Sequence, residues 1–265
     1  MADPTRRTIV VPAGEAEIET IAEGTGPALV MLPSLGRDGY EDFDAVAARL
    51  AADGLTVLRP QPRGIGASRG PMEGANLHHL AADIAAVIRA EGAGRAVILG
   101  HAFGHFVARM AAVDFPDLVR GVILAAAATK HYATEIAATP RRAGDLTAPE
   151  ADRLAALRLG FFAPGHDPTA WLHGWHPATQ RMQIDCREKQ GVAQSDWWHA
   201  GTAPMLELIP AADPFKPREK WGELRAEFGD RVEAVVIDNA SHALFPEQPQ
   251  AVADAILRWV AKLPA

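Results

Sequence analysis

Apolar residues in this chain follow two rhythms. Thr8–Val11 and Glu17–Ala22, separated by Pro12-Ala13-Gly14, alternate as two antiparallel strands would. Short, nearly unbroken apolar runs then recur at Ala28–Leu32, Leu55–Leu58, Ala96–Leu99, Gly121–Ala126, Met205–Ile209 and Val232–Ile237. Runs of that length, bounded by turn residues, read as strands buried on both faces of a parallel sheet. Between them the spacing becomes helical. Phe43, Val46, Ala47 and Leu50 share one helix face, and so do Phe106, Val107, Met110 and Val113. Asn76 can cap a helix reaching about Glu91, and Pro249 opens an amphipathic one carrying Val252, Ile256, Trp259 and Val260. Arg218–Phe228 reads as one further helix. The alternation predicts an α/β chain, a mostly parallel eight-stranded sheet with helices on both faces.

From Thr129 to about Ala200 the strand rhythm stops. Helical pieces at Pro149–Leu159, Pro168–Trp175 and Ala178–Lys189 are expected to be broken by Pro140, Pro164-Gly165 and Pro177. Trp171, Trp175, Trp197 and Trp198 fall in this stretch, out of six tryptophans in all, so it holds most of the large aromatic surface. The predicted division is a body of residues 1–128 and 201–265, with a helical insertion at 129–200.

Composition narrows the function classes. A chain of 265 residues with 48% hydrophobic content can bury a sizeable core. A formal charge of −7 and no clustered basic stripe argue against a nucleic-acid surface. The single cysteine, Cys186, excludes an internal disulfide and fits a reducing compartment. No apolar segment has signal-peptide or membrane-spanning length, so a cytoplasmic protein with no membrane partner is expected.

Candidate chemistry lies at Gly100-His101-Ala102-Phe103-Gly104, which turns sharply from strand to helix. Two glycines flanking one central residue form the pattern of a nucleophile elbow, and here the central residue is alanine. With Pro60-Gln61-Pro62-Arg63-Gly64-Ile65-Gly66-Ala67-Ser68 and Ser241-His242-Ala243-Leu244-Phe245-Pro246, the chain resembles the α/β-hydrolase family from about Thr8 to Leu263. It departs from the family at Gln61, where an acid is usual, and at Pro33-Ser34, where His-Gly is frequent.

The resemblance implies an α/β-hydrolase fold whose 129–200 insertion is a cap over the pocket. It also implies a chain order of nucleophile, acid and histidine, falling on Ala102, Asp213 and His242. Histidine exchanges a proton near neutral pH, and a carboxylate on its far nitrogen fixes the tautomer. Asp238, four residues before His242, is the rival acid. The backbone N–H groups of Leu35 and Phe103 are the implied oxyanion hole, and Ser34 either adds a hydroxyl or only stabilises the turn. His101, Trp171, Trp175, Trp197 and Trp198 are candidate substrate contacts, although each tryptophan is equally explained by packing the cap. His105 belongs either to the pocket floor or to the helix surface. His166, His173, His176 and His199 lack metal-ligand spacing, and Gly64-Ile65-Gly66 lacks the third glycine of a dinucleotide loop. No metal or organic cofactor is therefore expected.

Ala102 leaves three readings open. The chain is an inactivated serine hydrolase that binds a small ester or lactone without turning it over. Alternatively it is a native serine-less enzyme using His242 and Asp213 as a general base. In the third reading it is a non-catalytic binder of a small ligand, for which a paired histidine and acid has no use.

Overall fold

The computed structural model describes residues 6–130, 133–189 and 191–264. Eight strands form one sheet: β1 (Arg7–Ala13), β2 (Ala16–Glu23), β3 (Ala28–Leu32), β4 (Thr56–Pro60), β5 (Ala96–His101), β6 (Val119–Ala125), β7 (Met205–Pro210) and β8 (Val232–Ile237). Their spatial order is β1-β2-β4-β3-β5-β6-β7-β8. β1 and β2 pair antiparallel, as do β2 and β4, and every later pairing is parallel. The eight expected strands are all present; β3 and β8 keep the expected bounds, and the others are extended or shifted at an end by a residue or more.

The central strands are apolar on both sides because helices cover both faces. Val30, Ile98, Val122 and Leu124 pack into one core with α2 (Leu77–Glu91) and α3 (Gly104–Asp114). Leu29, Met31, Val97, Leu99 and Ile123 face the other core, with α1 (Glu41–Ala52) and a C-terminal helix, Pro249–Val260. Alternate residues of one strand thus enter opposite cores, as the two-residue period of a strand requires. Asn76 caps α2 as expected, its side chain accepting the His79 N–H at 3.1 Å.

Between β6 and β7 lie α4 (Thr134–Gly144), α5 (Glu150–Gly160), α6 (Pro177–Glu188) and the single turn α7 (Gln194–Trp197). Two expectations here need correction. Pro140 does not break the chain but sits inside α4. Proline removes the N–H that would bond the carbonyl four residues back, and the Thr139 hydroxyl takes over that carbonyl, Ile136 O, at 2.8 Å. Pro168–Trp175 is not one helix but a 3₁₀ segment, Pro168–Leu172, followed by a turn at Gly174 with φ of 73°. The Arg218–Phe228 helix is likewise split, into a 3₁₀ turn at Arg218–Lys220 and α8 (Glu223–Phe228), with Gly222 between them. α9 (Leu244–Glu247) and α10 (Pro249–Val260) complete the fold. Among the described residues no helix is long and apolar enough to cross a membrane.

The turn from β5 into α3 is tightly packed on both sides. Ala102 stands at φ of 46°, in the left-handed region, and its N–H donates to Ala125 O at 2.9 Å. The flanking glycines serve close approach rather than unusual torsions. A Cβ on Gly100 would lie 2.4 Å from the Gly104 carbonyl, and one on Gly104 would lie 2.6 Å from Leu32 O. Backbone cannot yield as a flexible side chain does. Gly100→Ala is therefore expected to destabilise the protein by about 1–3 kcal/mol or more in a denaturant titration. A loss below about 0.5 kcal/mol, typical of an unconstrained surface site, would show that the turn has room.

Candidate active site

The loops after β5, β7 and β8 meet beyond the carboxyl edge of the sheet, where open parallel sheets gather their ligands. The loop after β7 carries Asp213. One of its carboxylate oxygens accepts the Phe215 N–H at 2.9 Å, and the other receives His242 Nδ1 at 3.0 Å. Both side chains are almost fully buried, so little water competes for the contact. Asp238 is exposed and is not the histidine's partner. Lys216, three residues after Asp213, lies 2.6 Å from Glu207 of β7, and this buried ion pair moors the loop to the sheet. Burial pushes the Glu207 carboxyl up, and the nearby Lys216 charge opposes that shift.

The histidine loop is held from two sides. Glu247 accepts the N–H of Ser241 and the N–H of Ala163, each at 2.6 Å. Ala243 N–H donates to Phe161 O at 2.8 Å. The β8–α9 loop is thereby tied to the insertion. The His242 ring is packed by Phe215, at 4.4 Å between centroids, and by Phe161, at 5.4 Å. With Nδ1 committed to Asp213, Nε2 is the nitrogen left for chemistry.

Ala102 and His242 line one cavity of about 50 Å³, together with Ser34, Leu35, Phe103 and His105. The insertion contributes Pro140, Phe161 and Arg187 to its wall, and the body adds Phe106, Ala126, Ala128 and Phe215. His105, left open between floor and surface, is on the buried side, with only 1% of its area exposed. A second cavity of about 220 Å³ shares the His105, Phe106, Ala128 and Arg187 wall and runs on to Lys130, Gln194, Trp197 and Trp198.

Three candidate substrate contacts lie elsewhere. His101 is turned behind the site, its Nε2 donating to His242 O at 2.7 Å and its ring against Phe245 at 5.0 Å. Ala102 points to the cavity, so its neighbour on the strand faces the opposite way. Trp171 and Trp175 line neither cavity. Trp171 Nε1 donates to Asp42 at 2.9 Å, Trp175 Nε1 donates to Trp171 O at 2.5 Å, and both rings pack on Phe161. Arg37 lies 4.1 Å from the Trp171 ring centroid, bonds Asp42 at 2.9 Å and donates to His173 O, which pins the β3 loop to the insertion. Trp197 and Trp198 do reach a cavity wall, the second one. Gln61, where an acid is usual, accepts Gly39 N–H at 2.9 Å and thereby supports the same β3 loop.

Sequence reasoning missed Phe161, Phe215, Pro140 and Arg187 as cavity residues. Phe215 was detectable from its place two residues after Asp213. The other three belong to insertion helices whose docking register no local pattern encodes. Among the described residues no group of three or more His, Cys, Asp or Glu could hold a metal ion. His176 instead meets Asp38 at 3.1 Å, and His166 meets Asn239 O at 3.0 Å.

Residues 27–217 match the family model of the alpha/beta hydrolase fold, and the chain belongs to that family. The 2-(acetamidomethylene)succinate hydrolase of Mesorhizobium japonicum is 31% identical over 113 residues, covering 43% of this chain and 40% of that protein. The pyrrolizixenacetamide deacetylase of Xenorhabdus hominickii is 28% identical over 114 residues, covering 43% and 42%. The chain thus spans about two fifths of the length of these curated relatives. The esterase of Exiguobacterium antarcticum shares the fold over 97% of this chain and 100% of its own, with a TM-score of 0.79 at 19% identity.

Buried His101 makes stability depend on pH. Burial first, and then the neighbouring His242, pushes its imidazole down to about 3. In the unfolded chain the same group titrates near 6.5, so between these values the unfolded state holds the extra proton. Stability is full above about pH 6.5 and falls as pH drops, by at most about 1.4 kcal/mol per unit from this residue. His101→Gln keeps a donor for His242 O and cannot titrate. It is expected to flatten the decline in urea unfolding between about pH 6.5 and 4.5, and an unchanged slope would exclude His101 as its source.

Proposed function

We propose that the site is that of a hydrolase for a carboxylic ester or lactone, with alanine standing at the nucleophile position. The chain then binds its small-molecule substrate without forming an acyl-enzyme. The observation that carries this reading is the Asp213–His242 pair, 3.0 Å apart, opening on the same cavity as the left-handed turn at Ala102. An imidazole so oriented would accept a proton from a hydroxyl at that turn and return it to the leaving group. The backbone N–H groups of Phe103 and Leu35, which border the cavity, are the proposed oxyanion donors. The 129–200 insertion serves as the cap, since Pro140, Phe161 and Arg187 reach the cavity from it. The hydrolase and deacetylase names of the partial relatives support carboxylic-acid chemistry of this class.

One feature favours a second reading. The Asp213–His242 pair is intact and buried without a hydroxyl beside it, so it can act as a general base on water or on an acidic substrate proton. Ala102→Ser separates the two. Loss of a nucleophile from an intact triad costs on the order of 10⁶ in turnover, so the variant should hydrolyse an activated aryl ester far faster than the unaltered chain. His242→Ala added to it should abolish the gain. If Ala102→Ser stays inert across esters and lactones, the serine-hydrolase reading fails. If the unaltered chain already turns over a substrate and His242→Ala stops it, the dyad reading holds instead.

A further inference from the structure

The charge of the cavity walls departs from that of the protein. The chain carries 33 acidic and 26 basic residues, for a formal charge of −7. Neither the cavity at Ala102 nor the one continuing from it has an aspartate or glutamate among its lining residues, whereas Arg187 borders both and Lys130 borders the second. Lys130 is already engaged, with its Nζ 2.8 Å from Glu227. Arg187 makes no ion pair among the described residues. Among the described residues the acids beside it on α6 are taken elsewhere, Glu188 by Arg141 at 3.1 Å and Asp185 by Lys189 at 2.8 Å.

Arg187 is also held where a ligand can meet it. Its guanidinium carbon lies 4.6 Å from the Phe106 ring centroid, and Phe106 is part of the wall common to both cavities. Stacking on an aromatic face orients a guanidinium and leaves its edge N–H groups free for a planar anion. The other polar group of this shared wall, His105, is kept uncharged, because burial pushes its imidazole well below the usual range. The wall therefore presents a single fixed positive charge, flanked by Phe106 and by Trp197, whose rings lie 4.7 Å apart.

On this basis we infer that Arg187 is the specificity-determining residue of the site and that the substrate is an ester or lactone bearing a free carboxylate. The reacting carbonyl sits at Ala102, the carboxylate is gripped by Arg187, and the connecting atoms lie along Phe106. This rests on the ester-site reading above for the position of the carbonyl, but not for the binding of the anion. A protein of net negative charge disfavours such a substrate on average, so a positive charge on the cavity wall also guides entry.

The test uses the unaltered chain, which holds a ligand without consuming it on the first reading. Benzyl hydrogen esters of succinate, glutarate and adipate are compared by calorimetry with the matching neutral benzyl methyl diesters. The half-ester of best-fitting length is expected to bind at least about tenfold tighter than its diester, as a charge-assisted bond in a partly solvated groove allows. Arg187→Gln should erase that preference and leave the melting temperature unchanged. Arg187→Lys should restore part of it. Equal binding of half-ester and diester, or a preference that survives Arg187→Gln, overturns the inference. The two readings fail separately. An Ala102→Ser chain that hydrolyses neutral aryl esters but shows no Arg187-dependent preference refutes the inference alone. One that is inert while the half-ester still binds through Arg187 refutes the ester-hydrolase reading alone.

Discussion

The structure depends on one backbone constraint, the left-handed residue that follows β5. A side-chain-bearing residue in that region costs roughly 1–2 kcal/mol, and the surroundings must hold it there. They do so through the Ala102 N–H to Ala125 O bond and through two glycine contacts too close for any Cβ. The consequence is directional. The strand enters the turn buried in the sheet, α3 leaves it at once, and the residue at its apex is lifted toward the loops after β7 and β8. That arrangement concentrates the N-terminal amides of α3 at the place where a developing anion would sit. Strain held in this way at a cavity floor is a common mark of a working site, and here it is retained although the apex bears only a methyl group.

Buried polar contacts transmit this geometry to the rest of the site. Asp42 joins Arg37 of the β3 loop to Trp171 of the insertion, and Glu247 joins the histidine loop to Ala163. Each carboxylate would be costly if left unpaired, so each contact fixes a loop more firmly than its net energy alone indicates. Both contacts fasten the insertion to the body. Arg187 lies on α6, and its exposed position leaves it open to a ligand.

The body was legible because its chemistry is local. Each buried strand is a short apolar run, most turns carry glycine or proline, and the elbow is spelled out within five residues. The pairing of His242 with Asp213 instead of Asp238 followed from chain order and loop position, and the exposure of Asp238 agrees with it. Legibility ended where side-chain direction or tertiary docking decides. The facing of His101 depends on strand parity at a turn whose boundary shifted by two residues. Trp171 and Trp175 fulfil a packing role that composition cannot distinguish from ligand contact. Pro140 survives inside a helix because one neighbouring hydroxyl replaces the missing partner, a compensation visible only in three dimensions. Arg187 gave no signal, since a single arginine on an amphipathic helix acquires meaning only from the wall opposite it.

The central claim is that His242 is poised to activate a hydroxyl at the apex of the elbow. Its most direct measurement is the intact mass of the Ala102→Ser chain after exposure to an alkyl fluorophosphonate, which marks a serine only when a neighbouring base activates it. The account predicts one phosphonyl adduct per chain, absent from the unaltered protein and from the same variant carrying His242→Ala. An unlabelled Ala102→Ser chain, folded as well as the unaltered one, would contradict it.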